Sequence, residues 1–421
     1  MSERDEPIQA PPVLGERIEM PRSVLLVTPR WARDGGVSTH AMTSGEALAA
    51  QGVEVFALAA QVDPDANVPG VSVLHAPRLF DASASPQQKL GDDALASVPA
   101  IVHLHQFEDP DVVALLRTHA PVVISVHGFT ACTSGVHYFG PGEECTRAHG
   151  PSCVMNLLAR GCAHTRDPRW LPGAYRRAGR GRDALRDADL AISYSSAVDR
   201  HLAINGIERR RVIPLFTTMM PLLGSGHEQR RRVVFAGRVI APKGIDVLIG
   251  AAQSVDAEFV ICGEGRRLQA MRRLAERLGV DERVRFTGWL AGEQLARELA
   301  EASVLALPSV WPEPFGLVGI EALAAGRPVI ASATGGVEDW LEHGVNGLLV
   351  PAGDVAALAT TLNELLADPA RQAAMGAAGM RLVAERYSRE RHVGALNEAY
   401  SAARASWSAE RAASALIPAA R

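Results

Sequence analysis

Short apolar runs alternate with longer amphipathic stretches along most of this chain. Ser23-Val-Leu-Leu-Val-Thr28 is a run of strand type. A loop with Gly35-Gly36 follows, then a helical pattern over 37–50 and a second strand over 53–60. Repeated strand–helix–strand units of this kind predict a parallel sheet covered by helices on both faces. Ile101-Val-His-Leu-His105, Pro121-Val-Val-Ile-Ser-Val-His127 and Asp189-Leu-Ala-Ile-Ser-Tyr194 read as further buried strands. The stretch 216–232 breaks the pattern: Pro221, Gly224, Ser225 and Gly226 lead into Arg230-Arg-Arg232, a linker composition. The alternation then restarts, with strands over 233–236, 258–262, 283–287, 302–307, 328–331 and 347–350 and helices over 245–252 and 268–278. The reading is α/β: two Rossmann-like, doubly wound domains joined near residue 222. Their strand ends would face each other across a central cleft, where such sheets bind ligands.

Composition narrows the classes. A chain of 421 residues can hold two or three cored domains. The net charge, 43 − 47 = −4, argues against nucleic acid held by bulk electrostatics. No apolar run approaches the roughly 20 residues that span a bilayer. Met1 to Met20 is polar and proline-containing, so residues 1–21 read as a disordered leader and not a signal peptide. A cytoplasmic location is the default. Lys89 and Lys243 are the only lysines among 43 basic residues, which marks Lys243 as a deliberate choice in an arginine-rich background.

Lys243 lies in Phe235-Ala-Gly-Arg238-Val-Ile-Ala-Pro-Lys243-Gly244, a strand leading into a loop with two fixed cations. Such cations can stabilise the charge that grows on a departing pyrophosphate, Arg as a fork and Lys as a point charge. On isolated residues a solvated surface loop would explain them as well. Cys262-Gly263-Glu-Gly265 and Gly288-Trp289-Leu290 follow later strands, and glycine turns there permit close backbone approach to a nucleotide. Pro312-Glu313-Pro-Phe315-Gly316-Leu317-Val-Gly-Ile-Glu321 holds two carboxylates with seven residues between them. The first is expected on a loop over a ligand and the second in the first turn of a helix, where it would otherwise only complement the helix dipole.

In this order, Gly-Arg-Val-x-x-x-Lys-Gly, Gly-Glu-Gly, Thr-Gly-Trp-Leu and Glu-Pro-Phe-Gly-Leu-x-x-x-Glu-Ala-Leu-Ala-x-Gly-x-Pro-Val-Ile resemble the signature of the family 4 retaining glycosyltransferases of GT-B fold. The resemblance is dense over residues 230–355 and covers the rest in outline. It implies a nucleotide-sugar donor, a UDP- or GDP-sugar, and a hydroxyl acceptor. Arg238 and Lys243 would bind the pyrophosphate and Glu321 the ribose hydroxyls. Glu313, with the backbone of Phe315, Gly316 and Leu317, would address the sugar; Gly263 and Leu290 would line the nucleotide. It also implies that Gly35-Gly36 meets the donor and that His127 lies near the reacting sugar. The family is taken to attack from the same face as the leaving group, with the donor phosphate receiving the acceptor's proton. No catalytic metal is expected. The implied domains are 22–221 for the acceptor side, 222–389 for the nucleotide-sugar, and 390–421 as a helix crossing back to the first.

Two features remain. His103 and His105 are read as pointing to opposite faces of their strand, one packing and one toward the cleft. Cys132, Cys145, Cys153 and Cys162, with His137, His149 and His164 among them, fall in an insertion over 128–167 that is too long for an ordinary connection. A structural zinc, disulfides or unlinked thiols would each account for them, though the close Cys-x-x-Cys pairs of strong zinc sites are missing. Arg176, Arg177, Arg180 and Arg182 follow, either as a solvated helix face or as a contact for an anionic acceptor or a membrane surface. Bacterial polysaccharide, glycolipid and specialised-metabolite acceptors all fit. The rival reading from another class is a non-catalytic sugar-nucleotide-binding or scaffold protein of the same fold; a phosphorylase-like enzyme lacks an obvious lysine for its pyridoxal cofactor. Oligomeric state is not legible.

Overall fold

A computed structural model describes residues 20–33, 35–91, 99–135, 138–140, 143–159, 162, 168–219 and 231–415. Residues 1–19 of the proposed leader, the domain junction near residue 222, His137 and His164 lie outside the described residues.

Two parallel sheets form the framework. The first is built from β1 (Ser23–Trp31), β2 (Glu54–Val62), β3 (Val71–His75), β4 (Ile101–His105), β5 (Val122–Val126), β8 (Leu190–Ser193) and β9 (Arg210–Val212). Its order is β3-β2-β1-β4-β5-β8-β9, with every pairing parallel. A small antiparallel ribbon of β6 (Tyr138–Gly140) and β7 (Glu143–Glu144) stands apart within the cysteine-rich insertion. The second sheet contains β10 (Arg232–Ala236), β11 (Glu258–Cys262), β12 (Val284–Gly288), β13 (Val304–Leu307), β14 (Val329–Ser332) and β15 (Gly347–Val350), ordered β12-β11-β10-β13-β14-β15. In both, the strand order reverses beside the first strand, the switch point where doubly wound sheets open a crevice. Strands β4, β5, β8 and β10 are buried along their whole length, as expected for apolar runs covered on both faces. The edge strands β3 and β9 were not legible because their residues are largely exposed or half-buried and carry no apolar run.

The domains share a core. One apolar cluster runs from Leu26 and Ile192 through Phe315 and Trp340 to Tyr387, Leu396 and Tyr400. The last helix, Arg389–Ala415, packs against the first domain: Trp407 Nε1 donates to Arg117 O at 2.7 Å, and Arg117 bridges Asp189 at 2.6 Å and Glu410 at 2.5 Å. A second tie sits at the start of helix Ser196–Ile204. The Ser196 N–H and hydroxyl donate to the two Asp339 carboxylate oxygens at 2.7 and 2.5 Å, and Ser195 Oγ donates to Pro314 O.

Candidate active site

The second domain builds its wall from interlocked loops after β10, β11 and β13. Gly237 N–H donates to Cys262 O at 2.9 Å and Val239 N–H to Glu264 O at 2.7 Å. The loops approach so closely that a Cβ on Gly263, which has φ +159°, would lie 1.8 Å from Gly237 O. The glycines of Gly-Glu-Gly thus answer first to the backbone of the loop after β10, Gly263 to Gly237 and Gly265 to Val239. Val310 N–H donates to Pro242 O at 2.9 Å, which brings the loop after β13 beside Lys243.

Lys243 Nζ then donates to both Glu313 oxygens, at 2.6 and 2.9 Å. Glu313 is 2% exposed. Its Oε1 also accepts from Ser309 Oγ and, at 3.4 Å, from Trp311 Nε1. A carboxylate this deep is tolerable because cation, hydroxyl and indole supply what water would. Lys243 is therefore first a partner of Glu313. Arg238 is exposed, and no partner for it is found among the described residues. One cation is anchored and the other is open to a ligand.

Glu321 corrects an expectation. Helix Leu317–Ala324 is capped by Gly316 in the left-handed region at φ +83°, and it has no acidic residue in its first turn. Glu321 sits in the second turn, so its carboxylate is not there to complement the dipole. Burial pushes it up to about 7. Phe315 is buried, and Trp340 Nε1 donates to Phe315 O at 2.7 Å. Gly319 has no room for a side chain, since a Cβ would lie 2.0 Å from the Trp340 ring. Leu290, half-buried after β12, stands beside the exposed Trp289.

The first domain meets this wall with different chemistry. Gly35 is the extended N-cap of helix Gly36–Ala49, and a Cβ on Gly35 or Gly36 would meet nothing within 4 Å. Packing does not require these glycines. The open helix N-terminus they leave is suited to an oxygen-rich ligand. His127 follows β5 directly, and Phe129 two residues on reaches Trp311 of the opposite wall with ring centroids 6.5 Å apart. The loops of His127 and Glu313 therefore face one cleft.

Behind His127 lies a feature the sequence only half revealed. His103 and His105, two residues apart on a strand, share a face, and their rings stand 4.3 Å apart. The expectation of opposite faces is wrong. His40 from the first helix and His392 from the last complete a group of five imidazoles, with His40 within 5.7 Å of His105, His127 and His392. Burial, then mutual repulsion, holds His40 and His105 far below the ordinary histidine range; burial foremost takes His103 and His127 to about 3 and His392 to about 4. The group is neutral at pH 7. Tyr194, Ser125, Tyr400, Ser195 and Asp339 were also missed. Tyr194 closes a strand run and Ser195 precedes an amphipathic stretch, signals that mark position but not role.

In the insertion, Cys132, Cys145, Cys153 and Cys162 are free thiols. They are near enough to one another that, after burial, neighbouring thiols help raise Cys145 and Cys162, the latter to about 11. Among the described residues no three His, Cys, Asp or Glu are grouped as a metal-ligand set. His149 packs on Tyr175 and bonds Thr133 at 3.2 Å. Arg180 spends its charge on Asp109 and Asp111, at 2.7 and 3.0 Å, and Arg182 on Asp183. No described helix is long and apolar enough to cross a membrane.

Fold and cleft define a class: a GT-B protein whose second domain holds a part-buried lysine–glutamate pair and an exposed arginine on neighbouring loops. Comparison with known proteins gives the family. Residues 34–216 match the model of glycosyltransferase family 4, and residues 225–381 that of the glycosyl transferases group 1. The two matches together take in most of the chain, which belongs to this glycosyltransferase family. A GDP-mannose-dependent alpha-(1-6)-phosphatidylinositol monomannoside mannosyltransferase of Mycobacterium tuberculosis is 39% identical over 166 residues, 37% of this chain and 43% of that protein. The match thus spans less than half of that relative. A D-inositol 3-phosphate glycosyltransferase of Xylanimonas cellulosilytica is 29% identical over 88% of this chain and 92% of its own. Among solved structures, sucrose-phosphate synthase of Thermosynechococcus elongatus superposes with TM-score 0.69 at 23% identity, covering 90% of this chain and 98% of that one. Anabaena HepE in complex with UDP and glucose superposes at 0.66 and 19%, covering 91% and 100%.

Proposed function

We propose that this protein is a retaining glycosyltransferase that moves a sugar from a UDP- or GDP-sugar to an acceptor hydroxyl. The observation that carries the reading is the donor wall, with the Lys243–Glu313 pair anchored at its base and Arg238 left open beside it. Arg238 and the Lys243 ammonium would face the diphosphate as its charge grows, so the leaving group is stabilised without a metal ion. Glu321 would take the ribose hydroxyls and Glu313 the sugar, with Phe315 to Leu317 lending backbone groups. The carboxylates that follow β4 are committed elsewhere: Glu108 accepts from Thr130 at 3.0 Å, and Asp109 pairs with Lys89 at 2.6 Å and with Arg180. This favours same-face attack over a covalent sugar intermediate, with the departing phosphate taking the acceptor's proton. The mannosyl- and inositol-phosphate-directed relatives favour a polyol or glycolipid acceptor over a protein. Nothing observed favours a non-catalytic scaffold. A zinc ion stapling the four cysteines is a separate proposal, for metal analysis of the purified chain to decide.

The test is a panel of UDP-, GDP- and ADP-sugars with acceptor pools, read as nucleotide release and as the anomeric configuration of the product. Release with retained configuration is expected, and Glu321→Ala should abolish it. A wild-type protein that releases nothing with any donor and pool, or a product of inverted configuration, overturns the reading.

A further inference from the structure

His127 uses one ring nitrogen inward. Its Nε2 lies 3.2 Å from His105 Nδ1 and 3.4 Å from the Tyr194 hydroxyl, and only Nδ1 is left for a ligand. Tyr194 in turn stands next to Ser125, close enough for that hydroxyl to favour its ionised form. The Ser125 hydroxyl lies 2.7 Å from His103 Nε2, and His103 Nδ1 lies 2.8 Å from the hydroxyl of Tyr400. A file of polar side chains thus runs from the last helix, across β4 and β5, to the cleft, with Ser125 and Tyr194 as neighbours at its middle. Tyr400 is 1% exposed, Tyr194 2%, and His103 and Ser125 are fully buried.

The direction of the chain follows from its end. A neutral imidazole donates once and accepts once, while a hydroxyl can do both. If Tyr400 accepted from His103, its own buried O–H would need another acceptor, and no such bond is found among the described residues. An unmade buried donor is costly. With Tyr400 donating, every later step is set: His103 Nε2–H to Ser125, Ser125 O–H to Tyr194, Tyr194 O–H to His127 Nε2. His127 then carries its proton on Nδ1.

We propose that Tyr400 is a positioning residue for His127: through His103, Ser125 and Tyr194 it fixes the imidazole as the Nδ1–H tautomer, a hydrogen-bond donor to an oxygen of the ligand in the cleft. The role of that donor in sugar transfer rests on the function proposed above; the tautomer does not. A helix near the end of the chain thereby sets the chemistry of a residue after the fifth strand.

The test uses the full chain labelled with ¹⁵N-histidine, His127 being assigned among the 13 histidines by His127→Gln. Wild type should show His127 protonated on Nδ1 and bare on Nε2. Tyr400→Phe, which removes one oxygen, should move both signals toward a mixture of tautomers and lower kcat roughly fivefold, the scale of one lost hydrogen bond, with donor KM unchanged. Trp407→Phe loosens the same helix at its bond to Arg117 and should leave the tautomer as it is. Ser125→Ala repeats the test from inside the chain should Tyr400→Phe not fold. His127 protonated on Nε2 in wild type, or equal shifts in Tyr400→Phe and Trp407→Phe, overturns the proposal. A correct tautomer response without sugar transfer would sink the functional reading alone.

Discussion

The two walls of the cleft solve the same problem in opposite ways. The second domain buries a formal ion pair, Lys243 with Glu313, and satisfies it with Ser309 and Trp311. The first domain, with the last helix, buries five imidazoles with no carboxylate beside them among the described residues, and burial above all keeps them neutral, helped by mutual repulsion at His40, His103 and His105. One wall is preorganised by charge and the other by hydrogen-bond direction. A wall that meets a diphosphate needs fixed charge. One that meets neutral hydroxyls needs donors and acceptors of defined sense, and a charge there would only be costly to desolvate.

The sharpest way to break this contrast is to split the ion pair. Lys243→Ala leaves the Glu313 carboxylate buried and uncompensated, which typically costs about 3–5 kcal/mol. On the proposed function it also withdraws a cation from the leaving group, so nucleotide release should fall about 10²–10³-fold. The double variant Lys243→Ala with Glu313→Ala should regain most of the stability and none of the turnover. Chemical denaturation beside nucleotide release separates the two roles. A double variant that is both stable and active would reduce the pair to a structural tie.

Acid should find the other wall. His40, His103, His105 and His392 are each under 5% exposed and have folded pKa values below the ordinary 6.5. An unfolded chain binds protons that the folded one refuses. Stability is therefore full above about pH 6.5 and lost as pH falls toward the folded values of about 3 to 4. At pH 5 each buried histidine contributes a loss of about 2 kcal/mol. Glu108 and Glu321, raised to about 7, act in the opposite sense, because the folded state gains their protons first. With four histidines against two carboxyls of similar size, the net change from pH 7 to pH 5 is destabilising. Melting temperature against pH should show a steep decline below about 6.5 that His392→Gln makes shallower. A flat profile would mean that the imidazoles do not stay neutral and buried.

The difference between the walls also explains what was legible. The second domain announced itself because its proposed donor residues sit in contiguous runs: Arg238 and Lys243 share one loop, and Glu313 and Glu321 share one segment that passes from loop into helix. The structure differs from the expectation there in register, Glu321 falling in the second helical turn and Lys243 pairing with Glu313. The first domain's constellation is assembled from β4, β5, the end of β8, the first helix and the last. His40 and His392 are 352 positions apart by subtraction of their numbers, yet their rings lie 5.1 Å apart. Only the strand periodicity could have been read earlier: two positions apart on β4 means one face, which would have joined His103 to His105. Tyr400 carries no local signal, since a tyrosine in an amphipathic helix is ordinarily packing.

The smallest effect should come where the two walls are tied. Asp339 of the second domain accepts the N–H and hydroxyl of Ser196, the first residue of helix Ser196–Ile204, and so also complements the positive end of that helix. Tyr387 donates to Asp339 O at 3.0 Å, so the same residue braces the entry to the last helix. Ser196→Ala deletes one of the two bonds and keeps the N–H, for a cost of about 1–2 kcal/mol. Asp339→Asn removes the charge and one acceptor, and should cost slightly more. Neither touches the proposed donor contacts or His127. If the tie only holds the walls at their working distance, both variants should raise acceptor KM a few-fold, leave kcat within a factor of two or so and expand the molecule slightly in solution scattering. Gly336→Ala tests the same spacing by steric means, since a Cβ there would lie 2.5 Å from Ser195 Cβ and 2.7 Å from Pro314 O. It should push the walls apart where Ser196→Ala merely releases them. An acceptor KM untouched in all three would show that the shared apolar core, and not this clamp, sets the distance between the charged wall and the neutral one.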